Sequence, residues 1–115
     1  MAFNTQNMLI GRFYFKITPS GNLIGEYSHR NPSSHGSYSE AATRTTSGSG
    51  WVGDYRTTWC EGPAFEVVSA WLKITPSTTG TFFVQWYDSM QSNAVLLFDG
   101  EAMLCDGMLV GDYND

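Results

Sequence analysis

The sequence predicts an all-β chain: an eight-stranded antiparallel meander barrel with two pseudo-repeated four-stranded halves. Three observations carry this. Side chains alternate with the period of two that sends successive residues to opposite faces of a strand, as with Phe13, Phe15 and Ile17 against Tyr14, Lys16 and Thr18. Turn-forming clusters of Pro, Gly, Asn, Ser and Asp separate these runs at hairpin spacing. Two phrases are also written twice in the same order. Lys16-Ile17-Thr18-Pro19-Ser20 returns as Lys73-Ile74-Thr75-Pro76-Ser77, and Trp51-Val52-Gly53-Asp54-Tyr55 returns as Leu109-Val110-Gly111-Asp112-Tyr113. Leu23-Ile24-Gly25-Glu26-Tyr27 is a cousin of the second phrase. A length of 115 residues suits one domain, 1–115, with halves at approximately 1–60 and 61–115.

The first strand is expected over Met8 to Thr18, and Pro19-Ser20-Gly21-Asn22 turns it into a second over Leu23 to His29. Arg30 to Gly36 is a polar loop. A third strand follows from Ser37 to Thr45, where Glu40 and Ala41-Ala42 would also tolerate a helix, and Thr46 to Gly50 is its turn. The fourth covers Trp51 to Trp59, with Cys60-Glu61-Gly62-Pro63 closing the first half. The second half repeats the plan: Phe65 to Thr75, Thr81 to Asp88, Ala94 to Leu104 with a bulge at Gly100, and Met108 to Tyr113 after an Asp106-Gly107 turn. An eight-stranded meander removes its exposed edges by pairing the last strand with the first; a two-sheet sandwich is the alternative.

The repeats allow the faces to be read twice. An unpaired charge is costly to bury, so the face holding Glu26, Asp54 and Asp112 should meet water. The inward set is then Leu23, Gly25, Tyr27, Trp51, Gly53, Tyr55, Thr57, Trp59, Leu109, Gly111 and Tyr113, joined by Phe13, Phe15, Ile17, Ala70, Leu72, Ile74, Phe82, Val84 and Trp86. Glycine beside tyrosine suits the small/large alternation of a tapering barrel interior. The competing reading is that the glycines open space below a ring of tyrosine hydroxyls. On the outward face Tyr14, Ile24, Val52, Trp71, Phe83, Tyr87 and Val110 would form an apolar belt, from which a homo-oligomer is expected.

Composition narrows the function. Apolar residues are 42% and charged residues 15%, the balance of a globular chain. A net charge of −5 opposes nucleic acid and anionic lipid as partners. No apolar run approaches the ~20 residues of a membrane helix. Without a leader-like start, and with only Cys60 and Cys105, a cytoplasmic protein with two reduced thiols is expected; a secreted chain with a Cys60–Cys105 bridge is the alternative. No cofactor or metal is expected: His29 and His35, with Asp88 or Glu40, sit on no common rigid element. His29, His35 and Ser33-Ser34 invite a nucleophilic reading, but no Gly-x-Ser-x-Gly elbow accompanies them. Arg44, Arg56, Lys16 and Lys73 are expected to pair across strands with the outward acids.

The aromatic set Tyr27, Trp51, Tyr55, Trp59 and Trp86 is the best site candidate, since aromatic faces stack on flat or apolar ligands. An eight-stranded barrel holds either packed side chains or one small ligand, and a packed core with a shallow pocket at one end is expected here. The run Phe15-Lys16-Ile17-Thr18, with Gly21-Asn22-Leu23-Ile24-Gly25-Glu26-Tyr27, resembles the second hairpin of avidin-like proteins; Gly50-Trp51-Val52-Gly53 to Trp59 and Val84-Gln85-Trp86 resemble avidin strands. The likeness covers about a third of the chain. It implies the small barrel of the avidin-like and lipocalin-like (calycin) proteins and a pocket at the barrel mouth. It does not imply biotin: Gly11-Arg12-Phe13 replaces that family's Gly-x-Trp entry, and only Tyr27 and Trp86 are counterparts for its ligand-holding residues. The expected function is therefore non-catalytic binding of a small apolar or aromatic ligand at one barrel mouth. The alternatives are a barrel isomerase or cyclase with His29 and acids at its rim, and a carbohydrate-binding or structural interaction module with a filled interior.

Overall fold

The computed structural model describes residues 10–29 and 37–115. Its strands follow in chain order: β1 (Gly11–Ile17), β2 (Leu23–His29), β3 (Tyr38–Arg44), β4 (Gly53–Glu61), β5 (Glu66–Pro76), β6 (Phe82–Tyr87), β7 (Leu96–Cys105) and β8 (Met108–Asn114). Each pairs antiparallel with the next, and β8 returns to β1 with Tyr113 opposite Gly11 and Leu109 opposite Phe15. Among the described residues the meander is thus a closed barrel with no unpaired sheet edge. The turns are built as their residues dictate. Gly21 (φ 85°) donates its N–H to the Thr18 carbonyl at 2.9 Å, and Asp106 and Gly107 both take positive φ (53° and 78°), the type I′ hairpin turn.

Several boundaries move from the expected ones. Met8, Leu9 and the loop with Arg30, Ser33, Ser34 and His35 lie outside the described residues. Trp51 precedes β4 rather than opening it, while Cys60 and Glu61 extend β4. The register irregularity sits at Leu97, not Gly100: Trp86 faces Phe98 and Tyr87 faces Leu96, leaving Leu97 as the extra residue. Gly100 instead answers a close approach, because a Cβ there would stand 2.6 Å from the Asp112 carbonyl oxygen.

The first repeated phrase keeps its place, ending β1 and β5. The second does not keep its register. Tyr55 stands opposite Leu72, the counterpart of Phe15 when the first phrases are aligned. Phe15 stands opposite Leu109, whereas Tyr113 stands opposite Gly11. The same words therefore lie at different heights on the barrel wall.

The alternation sorts the faces as expected. Phe13, Phe15, Leu23, Tyr27, Tyr55, Thr57, Trp59, Ala70, Leu72, Ile74, Val84, Trp86, Leu109 and Tyr113 are all buried, and Ile17 and Phe82 pack against them. Each fully buried Leu, Ile, Val or Phe contributes roughly 1.5–3 kcal/mol. A meander reverses at every turn, so the barrel has two distinct ends. The β1–β2, β3–β4, β5–β6 and β7–β8 turns share one end, and the end of β2, the start of β3 and the β4–β5 and β6–β7 connections share the other.

The first end is closed. Arg44 faces inward there, directly opposite Tyr55. Its Nη1 donates to the Tyr55 hydroxyl (2.8 Å) and the Gly50 carbonyl (3.2 Å), its Nη2 donates to the Val52 carbonyl (2.9 Å), and its guanidinium lies 5.5 Å from the Tyr55 ring centre. The Tyr55 hydroxyl in turn donates to the Trp51 carbonyl at 2.7 Å. An inward Arg44 cannot reach the outward acids, which corrects its expected ion pair. Arg56 lies over the Trp71 ring (5.7 Å), and among the described residues the salt bridge found is Arg12 with Asp112 (3.2 Å).

On the outer wall, the expected belt is interrupted by polar neighbours: Glu26 stands beside Tyr14 on the β2 side, and Thr75 and Glu101 flank Phe83. Apolar stretches spanning three strands remain at Tyr14–Val110–Met103 and at Trp71–Tyr87–Leu96. Cys60 and Cys105 are free thiols at opposite ends of the barrel, so the bridge considered for them does not form. Among the described residues no helix is long and apolar enough to cross a membrane.

Candidate functional site

Alternation and strand direction together assemble a cup at the second end. Tyr27 and His29 come from the last residues of β2, Trp59 and Glu61 from the end of β4, and Trp86 and Tyr113 from the ends of β6 and β8. Phe13, Glu40 and Phe98 come from the beginnings of β1, β3 and β7. These nine residues line a cavity of about 30 Å³. That is room for about two water molecules, at ~10–15 Å³ each on this measure.

The five residues singled out from the sequence therefore divide. Tyr27, Trp59 and Trp86 share the cup, whereas Trp51 and Tyr55 lie at the closed end with Arg44. The reason is the reversal of chain direction at each turn: Trp51 and Tyr55 stand where β4 begins, and Trp59 stands near its end.

The walls are aromatic. Phe13 meets Trp86 edge-on (5.2 Å between ring centres, 87°), Phe98 meets Tyr113 (5.6 Å, 83°), and Trp59 meets Phe98 (6.3 Å, 71°). Such edge-to-face pairs add ~0.5–1.5 kcal/mol each beyond their burial. From Tyr27 the aromatic surface continues outward. Tyr27 stacks on Tyr38 at 5.5 Å, and Tyr38 meets Phe65 at 6.3 Å. Phe65, in the β4–β5 turn, is 67% exposed and holds φ at 53°, a conformation that bulky side chains rarely adopt.

Polar groups punctuate the cup. The Tyr27 hydroxyl donates to the Cys60 carbonyl, and Trp59 Nε1 donates to Glu61 Oε2 at 3.0 Å. The Tyr113 hydroxyl lies 3.1 Å from His29 Nδ1 and 3.3 Å from the Ser28 carbonyl. Burial raises the Tyr27 and Tyr113 hydroxyls above the usual tyrosine range, and the nearby carboxylates add to the shift, Glu61 and Glu40 for Tyr27 and Glu40 for Tyr113. Both phenols are therefore neutral donors at physiological pH.

At the base of the cup stands Glu40, 5% exposed. Thr57 Oγ1 donates to its Oε2 at 2.6 Å, and Trp86 Nε1 donates to the same oxygen at 2.8 Å. Among the described residues, Oε1 receives no hydrogen bond and no Lys or Arg lines the cup. Burial lifts the Glu40 carboxyl from 4.5 to about 7, although the two hydrogen bonds act to lower it. Proton exchange here requires little motion. Thr57 Oγ1 also lies 3.3 Å from the Ala41 carbonyl, so its hydrogen can swing there and leave its lone pair to accept from a protonated Glu40.

Sequence reasoning missed Glu40 and left Phe98, Tyr113, Phe13 and Glu61 out of the site. Glu40 was set among the scattered metal candidates, and Asp88, named with it, instead accepts from the Val95 N–H at 2.8 Å in the β6–β7 loop. One signal pointed to Glu40: Thr57 is a polar residue at an inward position between Tyr55 and Trp59, and a buried hydroxyl needs a partner.

The Glu40–Trp86 contact makes the titration visible. Indole emission should change with pH around a midpoint near 7, and Glu40→Gln should abolish that transition. A flat profile for the parent protein between pH 5 and 9 would refute a carboxyl titrating in contact with Trp86.

No family model matches the chain, and no curated protein or solved structure matches it either.

Proposed function

We propose that the chain is a small-molecule-binding barrel that takes an apolar or aromatic ligand at one barrel mouth, without chemistry on it. The observation that carries this is an aromatic cup whose cavity surrounds a buried carboxyl. A concave apolar site with few converging polar groups is the usual form of a ligand pocket. The cavity itself admits only the tip of a ligand, and the Tyr38–Phe65 surface offers an apolar shelf for the remainder. That shelf is held by a strained Phe65, and strain of this kind clusters at ligand-contacting segments.

The closed eight-stranded meander is the architecture of the avidin-like and lipocalin-like proteins, and a mouth pocket of that kind is what the likeness supports. The free thiols support a reducing, cytoplasmic setting. The Tyr14–Val110–Met103 stretch supports assembly into a homo-oligomer. Native mass spectrometry of the protein taken from cell extract tests both points. A multimer carrying extra mass of a few hundred daltons is expected, and a bare monomer would overturn both the bound ligand and the assembly.

A second reading, a barrel isomerase or cyclase, is favoured by one observation. Glu40 sits near neutrality in a cleft that also holds His29, as a general acid–base group would. Loss of a measured turnover in Glu40→Gln with ligand affinity retained would favour it over pure binding.

A further inference from the structure

The walls and the floor of the cup differ in sign. The walls are faces and edges of Phe13, Trp59, Trp86 and Tyr113; the floor is Glu40, and Glu61 stands on the same lining. Two carboxyl groups therefore converge on a space of about 30 Å³, and among the described residues no cationic Lys or Arg answers either of them there. Among the described residues the hydrogen bonds to Glu40 both fall on Oε2, which leaves Oε1 with acceptor capacity toward them at the base of the cavity. Aromatic faces attract cations through their negative quadrupole, more so where water is excluded. A carboxylate behind such faces adds a charge-assisted hydrogen bond. An anion would meet Glu40 and Glu61, and a neutral apolar group would leave Oε1 unpaired.

We infer that the ligand of this mouth carries a small positively charged head, an alkylammonium group, which enters the cup between Trp59 and Trp86 and donates to Glu40. The inference rests on the ligand-binding reading above and names its chemical class. The cavity sets the size of the head: an ammonium with one or two attached carbons fits a space of about two waters, and the rest of the ligand lies toward Tyr38 and Phe65. Binding is coupled to protons, because the cation needs Glu40 ionised. The groups facing Glu40 from the surrounding strands are Tyr27 and His29 on β2, Glu61 on β4 and Tyr113 on β8, and the two phenols stay neutral through the relevant range. A net charge of −5 further favours encounter with cations.

The test uses the full chain labelled at the tryptophan indoles and three probes of one length: n-butylammonium, 1-butanol and butyrate, titrated by nuclear magnetic resonance at pH 6 and pH 8. The expected result is that butylammonium shifts the Trp59 and Trp86 indole signals and binds about tenfold or more tightly than butanol at pH 8, the scale of one charge-assisted hydrogen bond. The preference should shrink at pH 6. Glu40→Gln, a nearly isosteric change, should remove it, while Glu61→Gln should reduce it less. Equal binding of butylammonium and butanol, or tighter binding of butyrate, would overturn the cationic class and leave a ligand-binding mouth standing. An unaltered ammonium preference in Glu40→Gln would overturn the role given to Glu40. No indole shift from any probe would overturn both the class and the binding reading.

Discussion

Replacing Glu40 with Gln is expected to stabilise the protein by about 3 kcal/mol above pH 8 and to have almost no effect at pH 4. The sign follows from linkage. In the unfolded chain the carboxyl titrates near 4.5; in the fold, burial moves it to about 7. Below 4.5 both states are protonated and Glu40 is neutral to stability. Between 4.5 and 7 the unfolded chain loses its proton while the folded chain keeps it, so stability falls as pH rises. Above 7 the full penalty is present, at ~1.4 kcal/mol for each pH unit separating the two values. Glu40 is buried, so solvent screening removes little of this. Glutamine keeps one oxygen for Thr57 and Trp86 and carries no charge. Urea unfolding of parent and variant at both pH values is the measurement, and the difference between them isolates Glu40 from the exposed acids. A pH-independent difference would show that the carboxyl is not shifted by burial. A group that weakens the fold above pH 7, yet is furnished with two donors, fits the ligand-contacting role proposed for Glu40.

The fold was legible because most strands carry a clean apolar face. In β1, β2, β4, β5, β6 and β8 the alternation alone separates core from surface, and the pairing of β8 with β1 follows from the need to hide edges. Strand β3 was different. Its inward face is Tyr38, Glu40, Ala42 and Arg44, and its outward face is Ser39, Ala41 and Thr43. Polarity sorts these the wrong way, since both charges point inward. Only contacts distant in sequence resolve it: Glu40 meets Trp86, 46 residues on, and Arg44 meets Tyr55 across the β3–β4 turn. The division of the aromatic set was within reach, because a meander sends the start and end of each strand to opposite ends of the barrel. The repeated phrase obscured it by suggesting that equal words mark equal heights, whereas Tyr55 seals one end and Tyr113 lines the other.

Replacing Gly25 with Ala is expected to destabilise the barrel by about 3 kcal/mol or more, a large share of the ~5–15 kcal/mol that holds a domain of this size. Gly25 faces inward in mid-β2, with Phe15 on one side and Glu40 on the other. A Cβ there would overlap the Tyr14 carbonyl oxygen and press on the Phe15 ring. The oxygen belongs to the β1 backbone, so relief requires the two strands to part, which no rotamer change can supply. Gly111 is the corresponding case on the far side of β1: a Cβ would overlap the Glu101 carbonyl oxygen and stand 2.8 Å from Phe13 Cζ and 2.9 Å from the Ala102 Cβ. Thermal melts of Gly25→Ala and Gly111→Ala should show midpoints lowered by about 10 °C or more, against a shift of ~2 °C or less for Thr43→Ala on the exposed face. The result decides between the two readings of Gly-x-Tyr. If the glycines exist to bring strands together, alanine breaks the barrel. If they only leave room beneath the tyrosines, alanine is absorbed by the cavity, the melting point holds and ligand affinity alone falls. The overlaps are with backbone oxygens of neighbouring strands rather than with the space under Tyr27 or Tyr113, so the first outcome is the expected one.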